Sequence, residues 1–148
     1  SIYMTILEQL EQEFKEAMKA KAEVKISTLR LMRTALKNKQ IEIGHPLSDE
    51  EVTPVLKTMI KQYQDAISDF TSAGRQDLVE RQQAEIDIIA AYLPAGLSQE
   101  ELERIVTEAL MASGIKEVGK AMGVVMKAVA DRADGNDVRR IVERLLAE

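Results

Sequence analysis

Residues 92–102 read YLPAGLSQEEL, and this stretch decides how the chain divides. Pro94 lacks a backbone N–H and pushes Leu93 away from helical dihedrals, so a helix arriving from the N-terminal side stops here. Gly96 lets the chain turn. Ser98 with Glu101 three residues on is the pattern of a capping box, in which the serine oxygen and the glutamate carboxylate satisfy each other's backbone N–H groups. One helix therefore ends and another begins within a few residues. On both sides the apolar positions repeat at the helical period, and no segment alternates as a strand would. The expected fold is all-α, with an N-terminal four-helix domain over 1–95 and a small three-helix C-terminal tail domain over 96–148.

Upstream, Thr5 with Glu8 caps a first helix that buries Leu7, Leu10, Phe14 and Met18. A second runs from Glu23 to Ile43, burying Ile26, Leu29, Met32, Leu36 and Ile43. Gly44 stops it, with His45 and Pro46 in the turn. Ser48 and Glu51 cap a third, whose inner face is Val52, Val55, Leu56, Met59, Ile60, Tyr63, Ile67 and Phe70. Pro54 lies inside this pattern and predicts a bend or a delayed start. After Gly74 a fourth helix spans Gln76 to Leu93 and buries Leu78, Val79, Ile86, Ile89 and Leu93. Downstream, three shorter helices bury Leu102, Ile105, Val106, Ala109 and Leu110; then Val118, Met122, Val125, Met126 and Val129; then Val138, Ile141, Val142, Leu145 and Leu146. A core that small is marginal alone, so the tail is expected to dock on the first domain.

Composition removes several function classes. The 148 residues are 45% hydrophobic and 30% charged, the balance of a globular chain. No apolar run approaches the roughly 20 residues that cross a bilayer, and no secretory signal is expected, so no membrane is expected among the partners. Ser1, Ile2 and Tyr3 precede Met4, are read as an expression remnant and carry no weight. Without cysteine there are no disulfides, thiolate metal sites or thiol nucleophile, which fits a reducing cytosol and leads us to expect a cytoplasmic protein. The single histidine, His45, reads as a solvated turn residue rather than a base, and no zinc cluster of familiar spacing can be assembled. The acidic runs SDEE and SQEEL open helices, where capping and the helix dipole explain them. There is no Gly-rich phosphate loop, nucleophile elbow or Walker lysine. No catalytic residue, metal or cofactor is therefore assigned, and catalysis by the chain alone is not expected. Aromatics make up 3%, and Phe14, Tyr63 and Phe70 fall on apolar faces, which argues against a base-stacking, sequence-reading RNA module.

The net charge of −5 hides a segregated pattern. Residues 15–41 hold eight lysines and arginines against two glutamates, while residues 1–14 and 42–108 are acidic. Arg30, Arg33 and Lys37 lie at i, i+3 and i+7, one stripe beside the buried face of the second helix, and Lys15 and Lys19 form a similar pair on the first. Together Lys19, Arg30, Arg33 and Lys37 make a secondary basic stripe. It reads either as a solvated face paired with the acidic middle segment or as contact with a nucleic-acid backbone.

The tail carries the other basic group, in MGVVMKAVADRADGNDVRRIV, residues 122–142. Gly119 and Gly123, spaced i, i+4, clear one helix side for the close approach of a neighbouring helix or of a ligand backbone, with helix packing the default. Asp134 or Asn136 should cap the last helix, with Gly135 making the turn. Lys127, Arg132, Arg139, Arg140 and Arg144 then gather at a helix N-terminus suited to phosphate, against a field weakened by Asp131, Asp134 and Asp137.

The strings MTILEQLEQEFKEAMKAK, LSDEEV, AGRQDLVERQQAEIDIIAAYLPAGLSQEEL and MGVVMKAVADRADGNDV occur in order from Met4 to the tail. Together they resemble the stand-alone members of the GatB/YqeY family, similar to the C-terminal region of the GatB subunit of the tRNA-dependent amidotransferase. Pro54 departs from the family pattern. The resemblance implies an all-helical protein with a larger N-terminal helical domain and a three-helix tail. It implies a tail that grips the tRNA elbow while chemistry occurs elsewhere, and similar tails are fused to some glutaminyl-tRNA synthetases. It makes Lys127, Arg132 and Gly135 the leading contacts. The expected function is an accessory protein that binds tRNA or another structured RNA. One alternative is an adaptor docking on an amidotransferase or aminoacyl-tRNA synthetase. A further one is carbon–nitrogen ligase activity, with glutamine as amide donor, within a complex.

Overall fold

A computed structural model describes residues 4–130 and 132–148. Two sequence-based expectations fall outside them: the expression remnant at Ser1–Tyr3 and the weakening of the tail field by Asp131. The described residues form seven helices and no strand: α1 Ile6–Ala20, α2 Glu23–Ile43, α3 Asp49–Ser72, α4 Gln76–Ala90, α5 Gln99–Ser113, α6 Val118–Val129 and α7 Gly135–Ala147. By packing, the chain divides into two compact units, Ser1–Leu93 and Pro94–Glu148.

Local chemistry sets most helix ends. Thr5 caps α1 by accepting the Glu8 N–H, and full capping boxes open α3 at Ser48–Glu51 and α5 at Ser98–Glu101. In the α3 box the Ser48 N–H bonded to the Glu51 carboxylate holds that group below the usual carboxylate range, with lesser help from the Ser48 hydroxyl. Leu47 before Ser48 and Val52 after it join one core cluster, the arrangement of a hydrophobic staple. Gly44 and Gly114 end α2 and α5 in the left-handed conformation.

Pro54 does not delay α3, which begins at Asp49. The capping box already holds the first turn, so the proline removes only one backbone donor within the helix. The fourth helix stops at Ala90 rather than Leu93. Ahead of Pro94 the chain tightens, with the Tyr92 and Leu93 N–H groups donating to Ile89 and Ala90 in i→i+3 bonds of 3.0 and 3.1 Å.

In the first unit α2 packs against α1, α3 and α4, and α3 pairs extensively with α4. The core holds Leu10 and Ala17 from α1, Leu29, Met32 and Leu36 from α2, Val52, Leu56 and Met59 from α3, and Ile89 and Tyr92. Residues 60–84 contain no fully buried side chain; Ile60 and Tyr63 still pack against this core, and beyond them the α3–α4 pair extends as a two-helix arm. Tyr63, expected in the core, is half-buried at its edge, while Ile67, Phe70, Leu78 and Val79, expected there too, are half-buried along the arm, where only two helices are available to cover them. Met18, also expected inside, is 45% exposed; Ala17 takes the core position.

In the second unit α5, α6 and α7 pack mutually around Leu102, Val106, Leu110, Ala121, Val125, Val129, Val138, Ile141 and Val142. The Leu97 N–H donates to the Arg132 carbonyl at 2.9 Å, tying the segment before α5 to the α6–α7 connection. Two details depart from the pattern expected of the sequence. Gly119 and Gly123 face away from the core: a Cβ at Gly119 would meet only the Glu117 carboxylate at 3.8 Å, and one at Gly123 nothing within 4 Å. The small residue that the core uses is Ala121, fully buried. Gly135 does not make the turn but is the first residue of α7, which Asp134 caps by accepting the Asn136 N–H at 2.7 Å.

Candidate nucleic-acid interface

On the tail, the arginines of α7 each meet a carboxylate. Arg139 pairs with Glu143 at 3.5 Å, Arg140 with Asp137 one turn before it, and Arg144 with Glu103 of α5 at 2.6 Å. Each of these side chains is about half or more exposed, so the pairs are weak and exchangeable. The local charge is nevertheless cancelled, and residues 94–148 carry eight basic against ten acidic residues. The N-terminus of α7 is already occupied by its Asp134 cap.

Lys127 and Arg132 are exposed and meet no carboxylate among the described residues. Arg132 is fixed by its backbone, its N–H donating to Val129 at 3.3 Å and its carbonyl accepting from Leu97. Gly135 lies three positions on, at the start of α7. Of the five tail cations expected to gather, only Lys127 and Arg132 are free of carboxylates among the described residues.

The first unit concentrates more charge. Along α2, Arg30, Arg33 and Lys37 border a groove of about 580 Å³ against α1. Its floor is apolar, with Leu10 and Leu36 almost fully buried and Leu7 beside them. Thr34 and Gln40 add polar groups at the rim. Arg33 is held twice: its Nε and Nη2 donate to the two oxygens of Glu11 at 2.7 and 3.2 Å, and its guanidinium lies over the Phe14 ring at 4.3 Å. Arg30 lies 5.8 Å from the same ring and donates to the Met18 sulfur at 3.8 Å. Lys15, Lys19, Lys21 and Lys37 are exposed and free of carboxylates among the described residues.

Within the stripe Arg33 is neutralised by Glu11 of α1; in the wider basic block Glu13 of α1 pairs with Lys25, and Glu42, at the edge of the acidic middle segment, with Lys39. Nothing in the sequence signals the groove or the ring behind Arg33, because both arise from the α1–α2 crossing. Phe14, placed in the core by its periodicity, is half-buried and serves as a shelf for two arginines.

His45 is exposed in its turn, with Nδ1 2.9 Å from the Pro46 carbonyl oxygen and Nε2 3.7 Å from Glu51. Glu85 is a buried charge that periodicity does not reveal. It accepts bonds from Arg81 Nε and Gln82 Nε2, both at 3.1 Å, within its own helix. No described helix is long and apolar enough to cross a membrane.

Fold and surface together define a class: an all-helical, two-unit protein whose cations cluster on the α1–α2 face. The chain belongs to the Yqey-like protein family, whose model matches residues 7–146. It is similar to proteins described as altered inheritance of mitochondria protein 41, mitochondrial. In Pyrenophora tritici-repentis the identity is 28% over 133 residues, covering 86% of this chain and 73% of the relative. In Vanderwaltozyma polyspora it is 31% over 143 residues, covering 95% and 75%. In Eremothecium gossypii it is 34% over 94 residues, covering 63% and 51%, so the match spans about half of that relative's length. These names correct the cytoplasmic location expected from composition. Absence of cysteine excludes disulfides but carries no address.

Proposed function

We propose that this chain is an accessory protein that binds tRNA or similarly structured RNA by shape and charge, without catalysis of its own. The observation that carries this is the α1–α2 face, where Lys19, Arg30 and Lys37 are exposed and meet no carboxylate among the described residues, beside the clamped Arg33. Phosphate contacts of this kind give affinity and orientation with little base reading. Lys127 and Arg132 of the tail are a smaller second contact, in line with the resemblance to the amidotransferase tail. The names of the relatives support a mitochondrial setting, so organellar tRNA is the probe of choice beside bulk tRNA. Titration of labelled tRNA at low and moderate salt tests the proposal. Binding that weakens steeply with salt supports it, and absence of binding at low salt ends it.

A second reading, an adaptor that docks on an amidotransferase or aminoacyl-tRNA synthetase, is favoured by one feature of the tail. Leu110, Ile115, Leu145 and Leu146 line a groove of about 240 Å³, with Met111 at its edge 79% exposed. Co-purification of such an enzyme that survives nuclease treatment and is abolished in Met111→Glu would favour this reading.

A further inference from the structure

We infer that the α1–α2 groove receives one unpaired nucleotide of the bound RNA, its base stacked on the Arg33 guanidinium and its flanking phosphates taken by Arg30 and Lys37. The inference rests on the RNA-binding proposal above and assigns that RNA a structural feature.

Three observations support it. The first is the orientation of Arg33. The residue lines the groove, and its guanidinium carbon stands 4.3 Å from the centroid of the Phe14 ring, which does not line it; in this inference the ring backs the plane, whose other face is placed toward the groove. The Glu11 carboxylate grips its edge through two hydrogen bonds. A guanidinium locked in plane, with one face open, is a stacking surface for a base.

The second is the charge balance. Glu11 neutralises Arg33, which leaves Arg30 and Lys37 as the net positive charge of the groove. They stand seven residues apart on α2, about 10 Å along its axis. Two separated single charges suit the phosphodiesters on either side of one nucleotide better than a single compact anion.

The third is size and lining. A space of about 580 Å³ falls in the range of small-ligand pockets. Its leucine floor suits the apolar body of a base, and Thr34 and Gln40 offer a hydroxyl and an amide to base edges or ribose. A base still paired in a duplex cannot enter, so the groove selects a bulged or flipped nucleotide.

The test compares an RNA hairpin carrying a one-nucleotide bulge with the same hairpin fully paired, on wild type and on Thr34→Trp. This substitution fills the groove at an exposed position and leaves charge unchanged. Gln40→Trp, further along α2, is the second variant should Thr34→Trp lose helicity by circular dichroism. Wild type should bind the bulged hairpin about tenfold more tightly, the gain of one stacked base. The filled variant should lose that preference and bind the two hairpins equally. Equal affinity of wild type for the two hairpins overturns the inference and leaves RNA binding standing. Should neither hairpin bind at low salt, the RNA proposal falls, and NMR titration with adenosine and uridine monophosphates decides the groove. Shifts confined to Leu7–Glu11 and Arg30–Gln40 support it, and none overturns it.

Discussion

The carboxylate of Asp49, in the first turn of α3, accepts the backbone N–H of Ile6, in the first turn of α1, at 2.9 Å. A residue 43 positions away thus satisfies a donor that α1 cannot satisfy within itself. Helix ends so joined place α1 on α3 before any core side chain is counted.

Removing this cap has a defined cost. Asp49→Ala should destabilise the protein by about 1 kcal/mol, the usual loss for a capping acceptor, and Asp49→Asn should retain most of it. Urea titrations of the three proteins check this. An alanine variant as stable as wild type would mean that water replaces the carboxylate without loss.

Tyr92 predicts an alkaline limit to stability. It is 5% exposed, and its buried hydroxyl stands beside the Glu13 carboxylate without forming a hydrogen bond of good geometry. Burial first, then Glu13 and Glu16, pushes the hydroxyl well above the usual tyrosine range. A pKa raised on folding gives stability that is fully present below about pH 10 and lost as pH climbs through the folded value. Tyr92→Phe should be as stable as wild type or more so at pH 7, since it removes an unbonded buried hydroxyl. It should also lose less stability above pH 10. Tyr63, raised by burial and by Glu85, keeps a residual slope. Thermal melts of both proteins from pH 7 to pH 11 decide it, and parallel curves would contradict it.

Ala130 ends α6 with φ 55° and ψ −137°, a backbone region that glycine occupies and other residues avoid. Ala130→Gly relieves this strain at a smaller entropic cost in the unfolded chain. A gain of about 1 kcal/mol in chemical denaturation is the expected result; a loss would show that the strain is absent in solution.

The two basic regions should differ in their effect on RNA. Paired replacement of Lys19 and Lys37 by glutamate should weaken tRNA binding strongly. It should flatten the slope of log affinity against log salt by roughly 0.7–0.9 for each phosphate that is no longer neutralised. Replacement of Arg139 and Arg140, whose charges Glu143 and Asp137 already offset, should weaken it less. The reverse order would move the interface to the tail.

Most helix boundaries were legible in the sequence because their causes are local. Ser48–Glu51, Ser98–Glu101 and the Asp134 cap act within three residues, and α2 runs from Glu23 to Ile43 as its periodicity and Gly44 require. The core residues Leu29, Leu36, Leu56, Val106, Val125 and Val138 were legible for the same reason, since each repeats at the helical period on one face. The exposure of Met18, the burial of Tyr92 and the thin covering of residues 60–84 were not legible. Periodicity gives the face that a helix buries but not how much of its length finds a partner.

The basic residues divide along the same line. Sequence alone determined that cations concentrate in 15–41 and recur near the α6–α7 junction, because charge density is a property of the chain. Only the tertiary structure decided which of them remain free. An ion pair such as Arg144–Glu103 or Arg33–Glu11 joins residues on different helices, and a helix face acquires a field only after its packed neighbour has contributed or withheld a carboxylate.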